Sequence, residues 1–83
     1  MGNATVSFLH PIDLRVLEVE LDPAITAAEV VGELIRAEFV PDQPESYRLC
    51  IKGGNEIRPS VSLLEAGVRN GTYILVVPQT DAG

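Results

Sequence analysis

Cysteine and basic residues are scarce in this chain of 83 residues. Cys50 is the only cysteine, so the chain cannot form an internal disulfide, and no histidine or second cysteine accompanies it at the spacing of a metal site. Because most lone cysteines pack as small hydrophobes, we interpret Cys50 in that way. Six basic residues against twelve acidic ones give a net charge of −6. This balance argues against nucleic acid as a partner, since binding a phosphate backbone requires clustered lysine and arginine.

Long apolar runs are also missing. The longest apolar stretches are too short to span a bilayer, and the N-terminus lacks the basic segment and the continuous apolar region of a signal peptide. We therefore expect no membrane insertion and a cytoplasmic location. Gly53-Gly54 lacks the spacing, the helix and the lysine of a phosphate-binding loop. With no catalytic constellation, metal ligands or cofactor motif, we expect no enzyme and no cofactor, and we interpret His10 as an exposed residue at a loop edge.

What the chain does contain is the composition of one globular domain, with 46% apolar and 22% charged residues. We place this domain at residues 1–78 and a flexible C-terminal tail at residues 79–83. The tail has no apolar side chain larger than alanine, so burial cannot offset the entropy of ordering it. We expect a monomer that binds other proteins, and its negative charge favours partners with a basic surface.

Alternation of apolar and polar residues predicts two strands near the N-terminus. Val6 and Phe8 share one face of the first strand, at residues 5–10, and apolar residues alternate with glutamates in the second, at residues 17–21. Pro11 marks a turn between them, so the two strands should form a hairpin.

A capping-box signature follows this hairpin. Thr26 and, three residues later, Glu29 precede apolar residues at helical spacing, which predicts a helix from Ala27 to about Phe39. The prolines that follow end this helix. One stripe of the helix should face the core, formed by Ala28, Val31, Leu34 or Ile35, and Phe39.

The second half of the chain predicts three further strands. Two lie at residues 47–52 and 56–58, and the last, at residues 73–77, follows a helical turn at residues 62–67 and the turn signal Asn70-Gly71. A hairpin, one long helix and then more strands make an α+β order. With the terminal strand returning to the centre of the sheet, this order is the β-grasp.

Four short motifs, in the same order and at the same spacing, resemble ubiquitin over nearly the whole chain. They are Leu17-Glu18-Val19-Glu20 in the second strand, Pro41-Asp42-Gln43 after the helix, Arg48-Leu49 in the third strand and Asn70-Gly71 before the last. The chain is therefore similar to ubiquitin-like proteins, as a divergent, bacterial member. The resemblance implies a β-grasp fold with a mixed sheet of four to five strands packed on one main helix.

The same resemblance implies a protein modifier, because Gly83 falls in the register of ubiquitin's terminal glycine. Its carboxylate would be adenylated by an activating enzyme, carried as a thioester by a conjugating enzyme and joined to a target protein. A maturation or deconjugating protease would be a further partner. Ala82 replaces the family's penultimate glycine, so an enzyme handling this tail must accept a Cβ atom there. Lys52, the only lysine, is the candidate for chain linkage.

Two alternatives stay open. The segment Leu64–Gly71 also resembles small ubiquitin-like accessory proteins of bacterial type VII secretion systems, which lack a glycine tail and act by docking. The sulfur carriers of molybdopterin and thiamine synthesis are the other alternative. Ala82 counts against them, because those carriers keep two terminal glycines.

Strand alternation also predicts a docking surface. If Ile74 faces the core, Leu75 and Val77 lie on the opposite, open face of the sheet. The match in the third strand places Cys50 on that same face. Three apolar side chains together exceed scattered exposure, and ubiquitin-like domains bind partners on this face. We therefore predict that Cys50, Leu75 and Val77 bind a partner protein.

Overall fold

The computed structural model describes residues 2–13, 15–42 and 47–78. The predicted tail, with Ala82 and Gly83, lies outside these residues. A strand hairpin, one helix and three further strands follow one another along the chain: β1 (Ala4–Leu9), β2 (Val16–Leu21), α1 (Ala27–Arg36), β3 (Tyr47–Ile51), β4 (Glu56–Ile57) and β5 (Tyr73–Pro78).

The five strands form one mixed sheet in the order β2-β1-β5-β3-β4. β1 pairs antiparallel with β2 and parallel with β5, and β5 pairs antiparallel with β3. The last strand of the chain therefore lies at the centre of the sheet, and β2 and β4 form its edges. This topology confirms the predicted α+β class and the β-grasp fold.

The core lies between α1 and one face of the sheet. Alternation along each strand decides which side chains turn inward: in β5, Ile74 and Val76 are buried, whereas Leu75 and Val77 are half-buried on the other face. The largest fully buried side chains come from strands, loops and the helix, and they are Phe8, Leu49, Leu63, Ile74, Val6, Val30, Val40, Val68 and Val76.

The N-terminus of α1 has the predicted capping box. The Thr26 hydroxyl accepts a hydrogen bond from the Glu29 N–H at 3.3 Å, and Glu29 Oε1 accepts one from the Thr26 N–H at 3.0 Å. Two backbone donors at the start of the helix are thereby satisfied. The hydrogen bond from the Thr26 backbone also holds the pKa of Glu29 below its ordinary value of 4.5.

The helix ends at Arg36, so the prediction that it reaches Phe39 is wrong. Glu38 adopts a positive φ of 61°. The Phe39 N–H donates to the Leu34 carbonyl at 3.0 Å, and the Glu38 N–H donates to the Ile35 carbonyl at 2.9 Å. These are the two hydrogen bonds of a Schellman ending, formed here without the glycine that usually signals it.

The buried face of α1 also differs from the predicted stripe. Val31 and Leu34 are buried as predicted, but Ala28 is exposed, and Ala27 and Val30 face the core instead. Alanine is too small and too weakly apolar to mark one face of a helix, so the pattern allowed the stripe to be placed on the wrong side of the first turn.

A glycine turn sets the position of β5. Gly71 has a φ of 91°, a conformation that only glycine adopts readily. Its N–H donates to the Thr5 carbonyl at 2.7 Å, and the Asn70 side-chain oxygen accepts from the Thr5 N–H at 2.8 Å. The turn is thus tied to β1, which fixes the register at which β5 enters the centre of the sheet.

Candidate interaction surface

A row of apolar side chains crosses the sheet on the face that points away from α1. The register places Val16 opposite Leu9, Leu9 opposite Leu75, and Leu75 opposite Cys50. Directly paired residues on neighbouring strands lie on the same face and within side-chain reach. We call Val16, Leu9, Leu75 and Cys50 the apolar row.

Sequence reasoning missed two members of the apolar row, Leu9 and Val16. Strand alternation was enough to predict which face of the sheet they occupy, because Leu9 follows the inward-facing Phe8 and Val16 precedes the inward-facing Leu17. Their proximity to Leu75 could not be predicted in this way, since it depends on the parallel pairing of β1 with β5, which are far apart in the sequence.

Val77 lies two residues further along β5 from Leu75, on the same face and opposite Arg48. A shallow hollow of about 210 Å³ opens beside the two apolar side chains. Because β5 is the central strand, its neighbours partly cover Leu75 and Val77, which are half-buried. The hollow is lined by Leu9, His10, Pro11, Leu75, Val76, Val77 and Pro78.

Charged side chains border the apolar row at the β3–β4 side. Arg48 Nη1 and Glu56 Oε1 are 3.6 Å apart, with side chains 45% and 44% exposed. An ion pair exposed to this degree contributes at most about 1 kcal/mol to stability. Breaking this ion pair so that its two side chains contact a partner would therefore reduce the stability of the fold only slightly.

Lys52 lies just beyond the end of β3, with an exposed side chain. Its backbone N–H donates to the Tyr73 carbonyl at 2.9 Å, and its Nζ atom is 5.7 Å from the centre of the Tyr73 ring. This is a cation–π distance at the surface. The amine is accessible to solvent, and its use in chain linkage stays a prediction.

The loop between β1 and β2 is built around His10, and the interpretation of this residue as exposed is wrong. Its side chain is 6% exposed, and its ring meets the Phe39 ring edge-on, with centroids 5.3 Å apart. The Nδ1 atom accepts hydrogen bonds from the N–H groups of Ile12 and Asp13 at 3.1 and 3.2 Å. Ile12, which donates to the His10 ring through its backbone, has a side chain on the surface and is 84% exposed.

Other kinds of site find no support in the part of the chain that the structure describes. Among those residues, no group of three or more histidine, cysteine, aspartate or glutamate side chains could hold a metal ion. No helix among residues 2–13, 15–42 and 47–78 has the length and apolar character needed to cross a membrane. The residues predicted for conjugation, Ala82 and Gly83, lie outside this part.

Solved structures of ubiquitin-like proteins share this fold. Ubiquitin from Caldiarchaeum subterraneum matches with a TM-score of 0.75 and 24% identity, over 99% of this chain and 100% of the other. The ubiquitin-like domain of EccD5 from Mycobacterium xenopi matches with a TM-score of 0.73 and 22% identity, over 99% and 100%. The corresponding domain of Dsk2 from Plasmodium falciparum gives 0.72 and 28%, over 90% and 96%. The chain therefore has the ubiquitin-like fold.

A family profile gives a narrower assignment. The profile described as WXG100 protein secretion system (Wss), protein YukD, matches residues 4–76. The chain therefore belongs to the YukD family. A search of curated protein sequences finds no match. The matched region contains the whole apolar row, and Val77 lies directly after it.

Proposed function

We propose that this protein is a noncovalent accessory protein of a WXG100, or type VII, secretion system, and that it docks on a protein partner through the apolar row. The observation that carries the proposal is the YukD family match over residues 4–76, because the description of that family names the WXG100 secretion system. The likeness to the EccD5 domain supports the fold alone, because the identity is 22%.

The apolar row has the composition expected of an interface centre. Such centres are apolar and depleted of charge, and their rims are polar. Leu75 and Cys50 form the centre, with Val77 beside them, while Arg48 and Glu56 form a charged rim. Side chains that are already half-buried lose little rotamer freedom when a partner covers them. We therefore assign Cys50, Leu75 and Val77 as partner-binding residues.

The charge of the protein indicates the chemistry of the partner. A net charge of −6 favours encounter with a surface on which basic residues surround an apolar patch. Steering of this kind acts on the association rate, and salt weakens it. Association with the partner should therefore slow as ionic strength rises, while the dissociation rate, set by the apolar centre, changes less.

Copurification tests this proposal. The tagged protein is expressed in its own organism, and the secretion-system proteins that copurify are identified by mass spectrometry. Leu75→Asp should reduce their recovery about tenfold or more, as for an interface anchor. Leu64→Asp should not, because this leucine is 61% exposed and lies outside the sheet. Equal recovery with the two variants would exclude the apolar row as the docking surface.

Covalent transfer through Gly83 is a second hypothesis, and it rests on the ubiquitin register of the sequence. It requires an activating enzyme that accepts Ala82, and Lys52 supplies the only lysine amine for self-linkage. Intact mass after incubation with ATP and a candidate adenylating enzyme tests it. An ATP-dependent adduct that deletion of Gly83 abolishes would support covalent transfer, and Lys52→Arg would then show whether chains form through this lysine.

A further inference from the structure

A second apolar groove runs between the edge strand β2 and the helix α1. Its volume is about 160 Å³, and its lining is almost wholly apolar. Leu17, Val19 and Leu21 of β2 line one side, Val30 and Leu34 of α1 line the other, Phe8 lies beneath them, and Glu33 and Ala37 complete the lining. This groove lies on the core side of the sheet, whereas the apolar row lies on the opposite face.

The strand beside this groove has an unpaired edge. Among the strands that the structure describes, β2 pairs with β1 alone, so its backbone groups that point away from β1 have no partner in those strands. β2 has six residues, whereas β4, at the other edge of the sheet, has two. An extended peptide can add to such an edge as a further strand, with backbone hydrogen bonds giving affinity and alternate side chains giving specificity.

The two faces of β2 determine what the added strand must carry. Leu17, Val19 and Leu21 of β2 line the groove and pair with core residues of β1. Side chains that lie beside these three residues on an added strand would therefore cover the groove. Glu18 and Glu20 point to the other face, opposite the uncharged Ser7 and Thr5. Among the described residues, neither glutamate has an ion-pair partner. Lysine or arginine side chains beside these glutamates on an added strand would therefore form favourable cross-strand pairs with them.

We propose that the β2 edge binds an extended peptide segment in which apolar residues alternate with lysine or arginine. The apolar side chains lie over the groove, and the basic side chains lie beside Glu18 and Glu20. A second copy of this chain does not fit, because pairing β2 with β2 would place glutamates beside glutamates, and like charges at cross-strand positions are destabilising. This site is independent of docking through the apolar row.

An NMR titration of the ¹⁵N-labelled full chain tests the proposal with the synthetic peptide Val-Lys-Val-Lys-Val-Lys-Val. One control peptide has glutamate in place of every lysine, and another has glycine in place of every valine. We expect only the first peptide to shift the amide resonances of residues 16–21 and of Leu34. Absence of these shifts, or equal shifts with either control peptide, would overturn the proposal.

A matched pair of variants separates local from long-range charge effects. Glu20 and Glu56 are exposed glutamates on the two edge strands, and replacing either with arginine changes the net charge equally. Glu20→Arg should weaken peptide binding about tenfold, whereas Glu56→Arg should leave it within a factor of about two. Equal weakening would overturn the proposal. Spectral dispersion shows that each variant is folded, and Glu20→Gln replaces Glu20→Arg if the latter is not.

Discussion

Leu75 lies directly opposite Cys50 in the antiparallel pair of β5 and β3, while its chain neighbour Ile74 is fully buried in the core. One step along the central strand therefore separates a core side chain from a side chain of the proposed docking surface. A shift of the strand register by one residue would exchange the two roles.

Alanine substitutions at these two neighbours should have unequal effects on the free energy of unfolding. Ile74→Ala leaves a cavity in the core and should cost about 2–5 kcal/mol. Leu75→Ala truncates a half-buried side chain on the open face and should cost about 1 kcal/mol. Urea unfolding followed by circular dichroism measures both values. Equal losses would place Leu75 in the core and contradict the register.

The capping box should make stability depend on pH in the acid range. Glu29 has a lower pKa in the folded state than its ordinary value of 4.5, because the Thr26 N–H donates to it. A group with a depressed folded pKa stabilises above its unfolded pKa, and this contribution is lost as pH falls through the folded pKa. Stability should therefore decline below pH 4.5.

Glu29→Gln provides the control for this pH dependence. Glutamine keeps a side-chain oxygen that can accept the Thr26 N–H, but it has no charge to titrate. The variant should be less stable than the wild type at neutral pH and should lose less stability on acidification. Urea midpoints measured across the acid range test this. Parallel declines for the two proteins would show that Glu29 does not contribute.

Neutral His10 should carry its proton on Nε2, because Nδ1 accepts two backbone N–H groups. Long-range ¹H–¹⁵N NMR spectra distinguish the two tautomers, and a proton on Nδ1 would contradict the loop geometry. His10→Ala removes the acceptor of both N–H groups and the contact with Phe39, so it should reduce the free energy of unfolding by about 1–3 kcal/mol. His10→Asn, which keeps an acceptor oxygen, should lose less.

The end of α1 can be stabilised by one substitution. Glu38 has a φ of 61°, a left-handed conformation that costs a residue with a Cβ atom about 1 kcal/mol. Glu38→Gly should therefore raise the thermal midpoint. Gly71→Ala is the reverse control: its φ is 91°, and an added Cβ would meet nothing within 4 Å, so only backbone strain should lower the midpoint. Destabilisation by Glu38→Gly would contradict this account of the helix end.

The two ends of α1 show what local sequence can and cannot predict. The start was predictable because Thr26 and Glu29 form a complete signal within four residues. The end was not, because Glu38 takes the position that glycine usually occupies, and the buried Phe39 after it belongs to the core instead of the helix.

The candidate site likewise has one part that local sequence could predict and another part that it could not. Alternation within β5 was enough to place Leu75 and Val77 on one face, and the third-strand motif was enough to place Cys50 beside them. The contribution of Leu9 depends on pairing between distant strands, and the burial of His10 depends on Phe39. Contacts that join distant parts of the chain leave no local pattern in the sequence.

Photo-crosslinking from the open face tests docking through the apolar row most directly. Tyr73 is 48% exposed and lies on the same face as Leu75, two residues along β5, so the larger aromatic side chain of p-benzoylphenylalanine can replace it and extend into solvent. The account predicts that irradiation in the native organism joins this position to a protein of the WXG100 secretion system. It predicts no such product from the same probe at Ala28, which is exposed on the helix side. Crosslinking of secretion proteins from position 28 and not from position 73 would contradict the account.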